Sequence, residues 1–261
     1  MTSAPSILVS QDGAVATVTL NRPDRLNALD FATWRLLGEE MRQLDGDERL
    51  RALVLRGAGG KAFAAGADIA AFPLERSTVE QARHYGEAMQ GALDAISGCR
   101  HPTVALIEGV CVGGGLEIAA CCDLRICGQS SRFGVPISRL GLTMAYGELV
   151  ALLDLVGPSA TREILLEGRV FDAEHALRIG LVTRVVDDAT VEAEAYATAR
   201  RIAEGAPLVA RWHKKFIRRL GDRRPLSDEE FDESYAAVGT EDYREGVRAF
   251  LEKRRPRFSG R

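Results

Sequence analysis

The hydrophobic pattern divides the chain into two parts of different kinds. Up to about residue 190, short apolar runs rich in β-branched residues alternate with stretches in which apolar residues recur at helical spacing. After that point the strands stop, and amphipathic helices are predicted over 191–203, 207–220, 227–238 and 241–253. The pattern predicts an α/β body of strand, strand and helix units over 1–190. It also predicts a helical region over 191–261 whose apolar faces pack on the body or, preferentially, on a neighbouring subunit.

Three glycines mark a joint in the middle of the chain. The apolar run 103–107 predicts a buried strand, and Gly113-Gly114-Gly115 separates it from the apolar stretch 116–122. Glycines at a strand-to-helix joint expose backbone N–H groups, which together with a helix N-terminus attract an oxygen that carries negative charge. Glu117 follows in the first turn. The alternative interpretation is a simple hinge in which Glu117 is a first-turn carboxylate favoured by the helix dipole.

A second stretch is unusual for its small residues. Phe63-Ala64-Ala65-Gly66-Ala67-Asp68-Ile69 follows the strand predicted over 52–55. Small side chains let another group approach the backbone closely, as a site built from main-chain N–H donors requires. The alternative is a tight loop packed under a helix. Farther along, Ser77 with Glu80 and Ser227 with Glu230 each predict a capping box at a helix start.

Composition excludes several classes of protein. A net charge of -3 over 261 residues gives no global basic face for nucleic acid. Five cysteines without zinc or redox spacing and four scattered histidines give no metal-site pattern. The first residues lack a secretory signal pattern, and no apolar run reaches the length of a membrane span. We therefore expect a cytoplasmic protein with no bound metal, no nucleic-acid partner and no membrane partner.

Five motifs, in order along nearly the whole chain, resemble those of the enoyl-CoA hydratase/isomerase, or crotonase, superfamily. They are Asn21-Arg22-Pro23 with Leu26-Asn27-Ala28-Leu29, Ala62-Phe63-Ala64-Ala65-Gly66-Ala67-Asp68-Ile69, Gly113-Gly114-Gly115-Leu116-Glu117, Phe133-Gly134-Val135-Pro136 and Arg244-Glu245-Gly246-Val247-Arg248-Ala249-Phe250-Leu251-Glu252-Lys253-Arg254. The resemblance implies a crotonase-like spiral of ββα units with a C-terminal helical trimerisation region, assembled as a homotrimer or a dimer of trimers.

The resemblance also implies an acyl-CoA thioester substrate and no bound cofactor. The thioester oxygen would lie between the N–H groups of Ala67 and Gly114, an arrangement that stabilises an enolate. Glu117 matches the glutamate that orients or deprotonates water in the family's hydratases. Many different reactions pass through a thioester enolate, so this pair of N–H donors does not by itself identify which reaction the protein catalyses.

The second glutamate of those hydratases is missing here. The family pattern reads Phe-Gly-x-Pro-Glu, whereas Ile137 follows Pro136, and an isoleucine cannot exchange a proton. Tyr146, Glu148 or Asp68 could supply the proton instead. Alternatively, a single base could catalyse an isomerisation. A third possibility is decarboxylation, thioester hydrolysis or C–C cleavage, for which stabilisation of the enolate by the two N–H groups could suffice. A hydratase with a non-standard second acid is the favoured function, with an isomerase next.

Further residues are expected to contact the substrate. By position in the motifs, these are Arg25, Ala65, Asp68, Ile69 and Ile137 in addition to Ala67 and Gly114. Phe250 and Lys253 resemble residues that reach the adenine and phosphate of CoA in a neighbouring subunit. Arg22 and Lys61 are other candidates for the CoA phosphates. The alternative from another class is a catalytically inactive CoA-binding or scaffold homologue. The absence of a glutamate at Ile137 favours this alternative, and the presence of Glu117 argues against it.

Overall fold

The computed structural model describes residues 4–261, which form ten strands and ten α-helices joined by loops and short 3-10 turns. The strands are β1 Ile7–Asp12, β2 Val15–Leu20, β3 Ala52–Gly57, β4 Ala62–Ala64, β5 Thr103–Ile107, β6 Val110–Val112, β7 Leu124–Gly128, β8 Arg132–Gly134, β9 Phe171–Asp172 and β10 Arg184–Val186. The helices are α1 Phe31–Asp45, α2 Phe72–Glu75, α3 Val79–Gly98, α4 Gly114–Cys121, α5 Tyr146–Glu167, α6 Ala173–Arg178, α7 Val191–Ala203, α8 Pro207–Gly221, α9 Asp228–Glu233 and α10 Glu241–Leu251.

The strands form two sheets, and from β3 onward each successive pair of strands contributes one strand to each sheet. The larger sheet has the order β1-β2-β3-β5-β7-β10 and the smaller the order β4-β6-β8-β9. A helical segment follows each of the pairs β3–β4, β5–β6 and β7–β8. Within each sheet these strands are parallel, because every unit enters in the same direction. The predicted α/β spiral of ββα units is confirmed.

Sequence patterns predicted the larger sheet better than the smaller one. β4 and β6 are only three residues long, too short to show a period of two, and neither was predicted. Residues 132–135, which Pro136 follows, predict a third short strand. It is present as β8, which ends at Gly134. These short strands matter because β4 and β6 lead directly into the small-residue loop and the glycine joint.

Helix caps explain where the helices begin. Asp30 precedes a run from Phe31 to Leu44 in which apolar residues, Trp34 among them, recur at helical spacing, a pattern that predicts a helix with Asp30 as its N-cap. In α1 the Asp30 side chain accepts a hydrogen bond from Thr33 N at 2.8 Å, as predicted. The capping box predicted at Ser77 and Glu80 is wrong by one residue: Thr78 is the N-cap of α3, and Gln81 is its partner. The Gln81 carboxamide oxygen accepts from the N–H groups of both Ser77 and Thr78, which fixes this register.

One predicted helix is shorter in the structure, and another is interrupted where the sequence predicts its end. The capping box at Ser227 and Glu230 is present, but α9 ends at Glu233, and a separate 3-10 turn covers Ala236–Gly239. Residues 148–156 predict a helix that ends at Gly157-Pro158, with a second helix after it. Gly157 has φ 72° and ψ 171°, outside the helical range, so α5 consists of two helical segments that meet at a kink there, as predicted.

Both faces of the larger sheet are covered. Leu53 and Leu55 of β3 point into the main core with α1, α3 and α4, whereas Val54 between them points to the opposite face. There α7 buries Val191, Ala195 and Ala199 against the sheet. This two-sided burial explains the nearly continuous apolar sequence of β3 and β5.

The helices after α7 pack more loosely. α7 packs on the larger sheet. The predicted boundary at residue 190 places α7 in the C-terminal helical region instead. The division of the chain at that residue stays a prediction. α8 to α10 leave apolar side chains exposed, among them Ile217, Leu220, Phe231, Val247, Phe250 and Leu251. Within the range 4–261, no helix is sufficiently long and apolar to cross a membrane.

Candidate active site

The small-residue loop and the glycine joint lie against each other. Gly113 is the N-cap of α4, with φ 52° and ψ -124°, a conformation that favours glycine. A β-carbon on Gly66 would lie 3.0 Å from the carbonyl oxygen of Val112 and 3.5 Å from the nitrogen of Gly114. Small residues on both sides therefore permit the two backbone segments to approach this closely.

Two backbone N–H groups are left without acceptors at this contact. The Leu29 N–H donates to Gly66 O, and the Asp68 N–H donates to Leu29 O, each at 2.8 Å, so that this pairing passes over Ala67. Gly114 is the first residue of α4, where N–H groups have no intrahelical acceptor. Neither Ala67 nor Gly114 donates to a backbone carbonyl elsewhere in the described chain. Both residues line one cavity.

That cavity has a volume of about 310 Å³. Seven of the twelve predicted site residues line it: Ala65, Ala67, Ile69, Gly114, Glu117, Ile137 and Glu148. Much of the remaining wall is apolar and includes Trp34, Phe72, Met89, Val135 and Leu142. An apolar wall with a few polar groups is typical of a site for a small organic group.

Glu117 points into the cavity from the first turns of α4. Its N–H donates to Gly113 O at 3.0 Å, which holds the residue one turn beyond the glycine joint. The carboxyl group is buried, and its Oε2 has no hydrogen-bond partner in the described chain. Burial, followed by the negative charge of Glu148, raises the pKa of Glu117 to about 8. A carboxyl with such a pKa can exchange a proton near neutral pH.

Glu148 reaches the same cavity from the start of α5. The residue is buried, and its Oε2 accepts a hydrogen bond from Ala145 N at 3.1 Å. Burial raises the pKa of Glu148, while the hydrogen bond from Ala145 and the charge of Arg76 oppose that rise. The cavity thus contains two interacting carboxyl groups. Ile137, at the position of the missing glutamate, contributes only an apolar surface to the wall.

Arg76 is the main residue of the cavity that sequence reasoning missed. It follows α2, and its guanidinium lies 4.9 Å from the ring centre of Phe72 and 4.8 Å from that of Tyr85. Its positive charge lowers the pKa of both glutamates, against the larger effect of burial. No local motif marks such a residue, since one arginine beside a predicted helix start is common on protein surfaces.

Trp34 and Tyr85 support the wall behind the glycine joint. Trp34 Nε1 donates to the Tyr85 hydroxyl at 3.0 Å, and that hydroxyl donates to Leu29 O at 3.0 Å. A β-carbon on Gly114 would lie 2.8 Å from Cζ2 of Trp34. The buried aromatic pair thus fixes the space beside α4. The sequence predicted Trp34 only as part of the apolar face of α1.

The other predicted site residues lie away from the cavity. Tyr146 is 92% exposed and does not line it, although Glu148 only two positions later does. Asp68 accepts from Arg22 Nη2 at 2.8 Å and from Arg25 Nη1 at 3.4 Å, in an ion-pair cluster beside the loop.

The C-terminal candidates for CoA binding are remote from the carboxyl pair within one chain. Phe250 is 82% exposed near the end of α10, and Lys253 follows that helix with φ 53°. Neither lines the cavity. Their predicted contact is with the substrate of a neighbouring subunit, so this placement leaves the prediction untested. Among residues 4–261, no cluster of three or more His, Cys, Asp or Glu could hold a metal ion.

The chain is similar to known proteins over nearly its whole length. The family model described as enoyl-CoA hydratase/isomerase matches residues 10–261. The chain is 33% identical over 255 residues to a short-chain-enoyl-CoA hydratase of Clostridium acetobutylicum, covering 96% of each sequence. It is 31% identical over 269 residues to a carnitinyl-CoA dehydratase of Escherichia coli, covering 98% of this chain and 99% of that protein.

A solved structure matches still better. The crystal structure of an enoyl-CoA hydratase/carnithine racemase from Magnetospirillum magneticum superposes with a TM-score of 0.97 at 50% identity, covering 99% of this chain and 97% of that one. The fold, the nearly complete coverage and the family model lead to one conclusion. The chain belongs to the enoyl-CoA hydratase/isomerase family.

Proposed function

We propose that the protein catalyses the reversible hydration of a 2-enoyl-CoA thioester, with Glu117 and Glu148 as its acid–base pair. The observation that carries this proposal is the meeting of two buried carboxyl groups in the cavity that also contains the acceptor-free N–H groups of Ala67 and Gly114. The hydratase names of relatives, such as that of Clostridium acetobutylicum, support the same reaction.

The two N–H groups would bind the thioester carbonyl oxygen. When water adds to the double bond, negative charge develops on that oxygen as the enolate forms. Fixed donors in a largely apolar cavity stabilise the charge where it appears, each by about 3 kcal/mol. Gly114 has the additional advantage of lying at the N-terminus of α4, where the helix dipole favours negative charge.

The two carboxyl groups would move the protons. Hydration forms a C–O bond at C3 of the acyl group and a C–H bond at C2, so one group must accept a proton from water and another must donate one. A coupled pair that holds a single proton supplies both functions, and its pKa values belong to the pair as a unit. With the pKa of Glu117 at about 8, the pair retains that proton at neutral pH.

Glu148 would replace the glutamate that the family pattern places after Pro136. Ile137 cannot exchange a proton, but the start of α5 brings a different carboxyl group to the same cavity. Glu148 was one of three substitutes suggested by the sequence. The exposure of Tyr146 and the ion pairs of Asp68 favour Glu148 over both.

The proposal also covers the CoA part of the substrate, the oligomeric state and the compartment. CoA would enter as part of the substrate, with no separate bound cofactor, and Phe250 and Lys253 of one subunit would contact the CoA of a neighbour. The exposed apolar side chains of α8 to α10 support a homotrimer or a dimer of trimers. Five free cysteines, four of them buried, support a reducing compartment such as the cytoplasm.

The first test is incubation of the purified protein with crotonyl-CoA, following the absorbance of the conjugated thioester, alongside a binding titration with acetyl-CoA. Rapid loss of absorbance that depends on Glu117 is expected. Binding of acetyl-CoA without hydration of crotonyl-CoA or longer 2-enoyl-CoA thioesters would contradict the proposal and favour an isomerase or decarboxylase. Absence of binding would favour an inactive homologue.

A further inference from the structure

Arg76 brings a positive charge to the wall of a largely apolar cavity. Its side chain is partly buried, its guanidinium lies over the rings of Phe72 and Tyr85, and its Nε is fully buried. Contact with the two rings holds the guanidinium in place through cation–π attraction without requiring an anionic partner. Those donors stay available for a bound molecule.

Arg76 has no anionic partner in the described chain. Its side chain forms no ion pair within 4.0 Å and no hydrogen bond with any of residues 4–261, and Nε is among the few buried polar atoms there that lack a partner. A buried N–H donor such as that of Nε is unfavourable without an acceptor unless something else supplies one. Arg22, by contrast, pairs with Asp30 and Asp68, and Arg56 pairs with Glu108 and Glu192. Arg211 of α8 also has a buried Nε without a partner, but it does not line the cavity.

The carboxyl pair is not the missing partner. Neither Glu117 nor Glu148 approaches Arg76 within ion-pair distance in this structure. Burial and the charge of Glu148 keep the pKa of Glu117 at about 8, so that group is mainly neutral at pH 7. Glu148 already accepts a hydrogen bond from Ala145 N. The second arginine of the cavity, Arg139, is exposed.

We propose that Arg76 binds a carboxylate on the acyl chain, so that the preferred substrates are CoA monothioesters of unsaturated dicarboxylic acids. This inference rests on the proposed function and specifies its substrate class. A guanidinium matches a carboxylate in a bidentate geometry, and the apolar surroundings strengthen that contact. Conversely, a fixed cation here disfavours acyl groups that carry a quaternary ammonium, such as the carnitinyl group in the name of the relative from Escherichia coli.

The test uses saturated thioesters, which cannot be hydrated, so that binding is measured independently of turnover. Glutaryl-CoA carries the terminal carboxylate, and 5-methylhexanoyl-CoA replaces it by a neutral isopropyl group of nearly the same shape. Calorimetric titrations compare both ligands on the unaltered protein and on Arg76→Gln, Arg76→Lys and Arg83→Gln. Arg83 is an exposed arginine of α3 that does not line the cavity, and it provides the matched control.

The unaltered protein should bind glutaryl-CoA at least about 10-fold more tightly than the neutral analogue. Arg76→Gln should lose that preference, Arg76→Lys should keep part of it, and Arg83→Gln should keep all of it. Equal or tighter binding of the neutral analogue by the unaltered protein would overturn the inference even if Arg76→Gln failed to fold. So would a folded Arg76→Gln variant that retained the preference.

The two proposals fail separately. If crotonyl-CoA and glutaconyl-CoA both resist hydration while the preference for glutaryl-CoA depends on Arg76, the proposed reaction is wrong, and the carboxylate site is supported for another reaction of the same acyl class. If crotonyl-CoA is hydrated and the preference is absent, hydration stands and the role of Arg76 is refuted.

Discussion

The carboxyl groups of Glu117 and Glu148 enter one cavity from the starts of two different helices, and the charge of Glu148 adds to burial in raising the pKa of Glu117 to about 8. A single glutamate on the protein surface would lack both burial and a neighbouring carboxyl group, so its pKa would not be raised in this way. The pair thus explains how a chain with isoleucine at position 137 can still contain two proton-transfer groups. It also gives each glutamate a distinct experimental signature.

Replacing Glu117 by glutamine should abolish hydration without removing the binding site. The carboxamide has nearly the same shape but cannot exchange the proton, so kcat for crotonyl-CoA should fall by roughly 10²- to 10⁴-fold. Calorimetric affinity for acetyl-CoA should change little, because the N–H groups of Ala67 and Gly114 are unaltered. Glu80→Gln, at an exposed position of α3, is the matched control. Unchanged activity of Glu117→Gln would rule out its proposed role.

Glu148 and Tyr146 were both candidates for the second acid, and their variants should behave differently. Glu148→Gln removes a buried carboxyl group from the cavity and should lower kcat by roughly 10²-fold or more. Tyr146→Phe removes an exposed hydroxyl and should leave kcat within about 2-fold of the unaltered enzyme, as is usual for a surface change. Steady-state hydration of crotonyl-CoA gives kcat for both variants. A larger loss of kcat in Tyr146→Phe than in Glu148→Gln would identify Tyr146 as the second acid.

Much of this site follows from the sequence, and the missing part has a physical reason. Gly114 and Glu117 lie on one short helix, so their spacing along the chain determines their relation in space. Arg76 joins the site only through tertiary packing against Phe72 and Tyr85, which no local period encodes. Similarly, β4 and β6 are defined by pairing with each other, since three residues are too few for a pattern.

The activity should decline as the pH rises through about 8. The active pair needs one proton, and deprotonation of Glu117 removes it. Because the positive charge of Arg76 lowers the pKa of Glu117, Arg76→Gln should raise that pKa and shift the alkaline limb of the kcat/KM profile to higher pH. The exposed variant Arg83→Gln should leave the limb in place. A limb that moves to lower pH in Arg76→Gln would contradict the assigned electrostatics.

Stability should depend on pH through the same carboxyl group. The pKa of Glu117 is about 8 in the folded protein and 4.5 for an ordinary exposed glutamate, as in the unfolded chain, so between these values the folded state binds more protons than the unfolded state. The free energy of unfolding should therefore decrease as the pH rises from about 5 to 8. Urea titrations at about pH 5 and pH 8 measure this decrease. In Glu117→Gln the decrease should be smaller than in the unaltered protein by at least about 1 kcal/mol. Glu80→Gln should retain the full decrease.

Adding a methyl group at Gly115 should show how closely the glycine joint is packed. A β-carbon there would lie 2.3 Å from the carbonyl oxygen of Ala64 and 2.9 Å from its β-carbon, so β4 and α4 would have to separate. Gly115→Ala should lower the free energy of unfolding by about 1–3 kcal/mol. It should also lower kcat, because Gly114 would move with the helix.

Gly91→Ala provides the contrasting case on α3. Nothing lies within 4 Å of a β-carbon at Gly91, and alanine favours the helix over glycine. This variant should therefore gain about 0.5–1 kcal/mol and keep its activity. If both variants were equally stable and active in urea titrations and hydration assays, the close contact between the loop and the joint could not be what positions the two N–H donors.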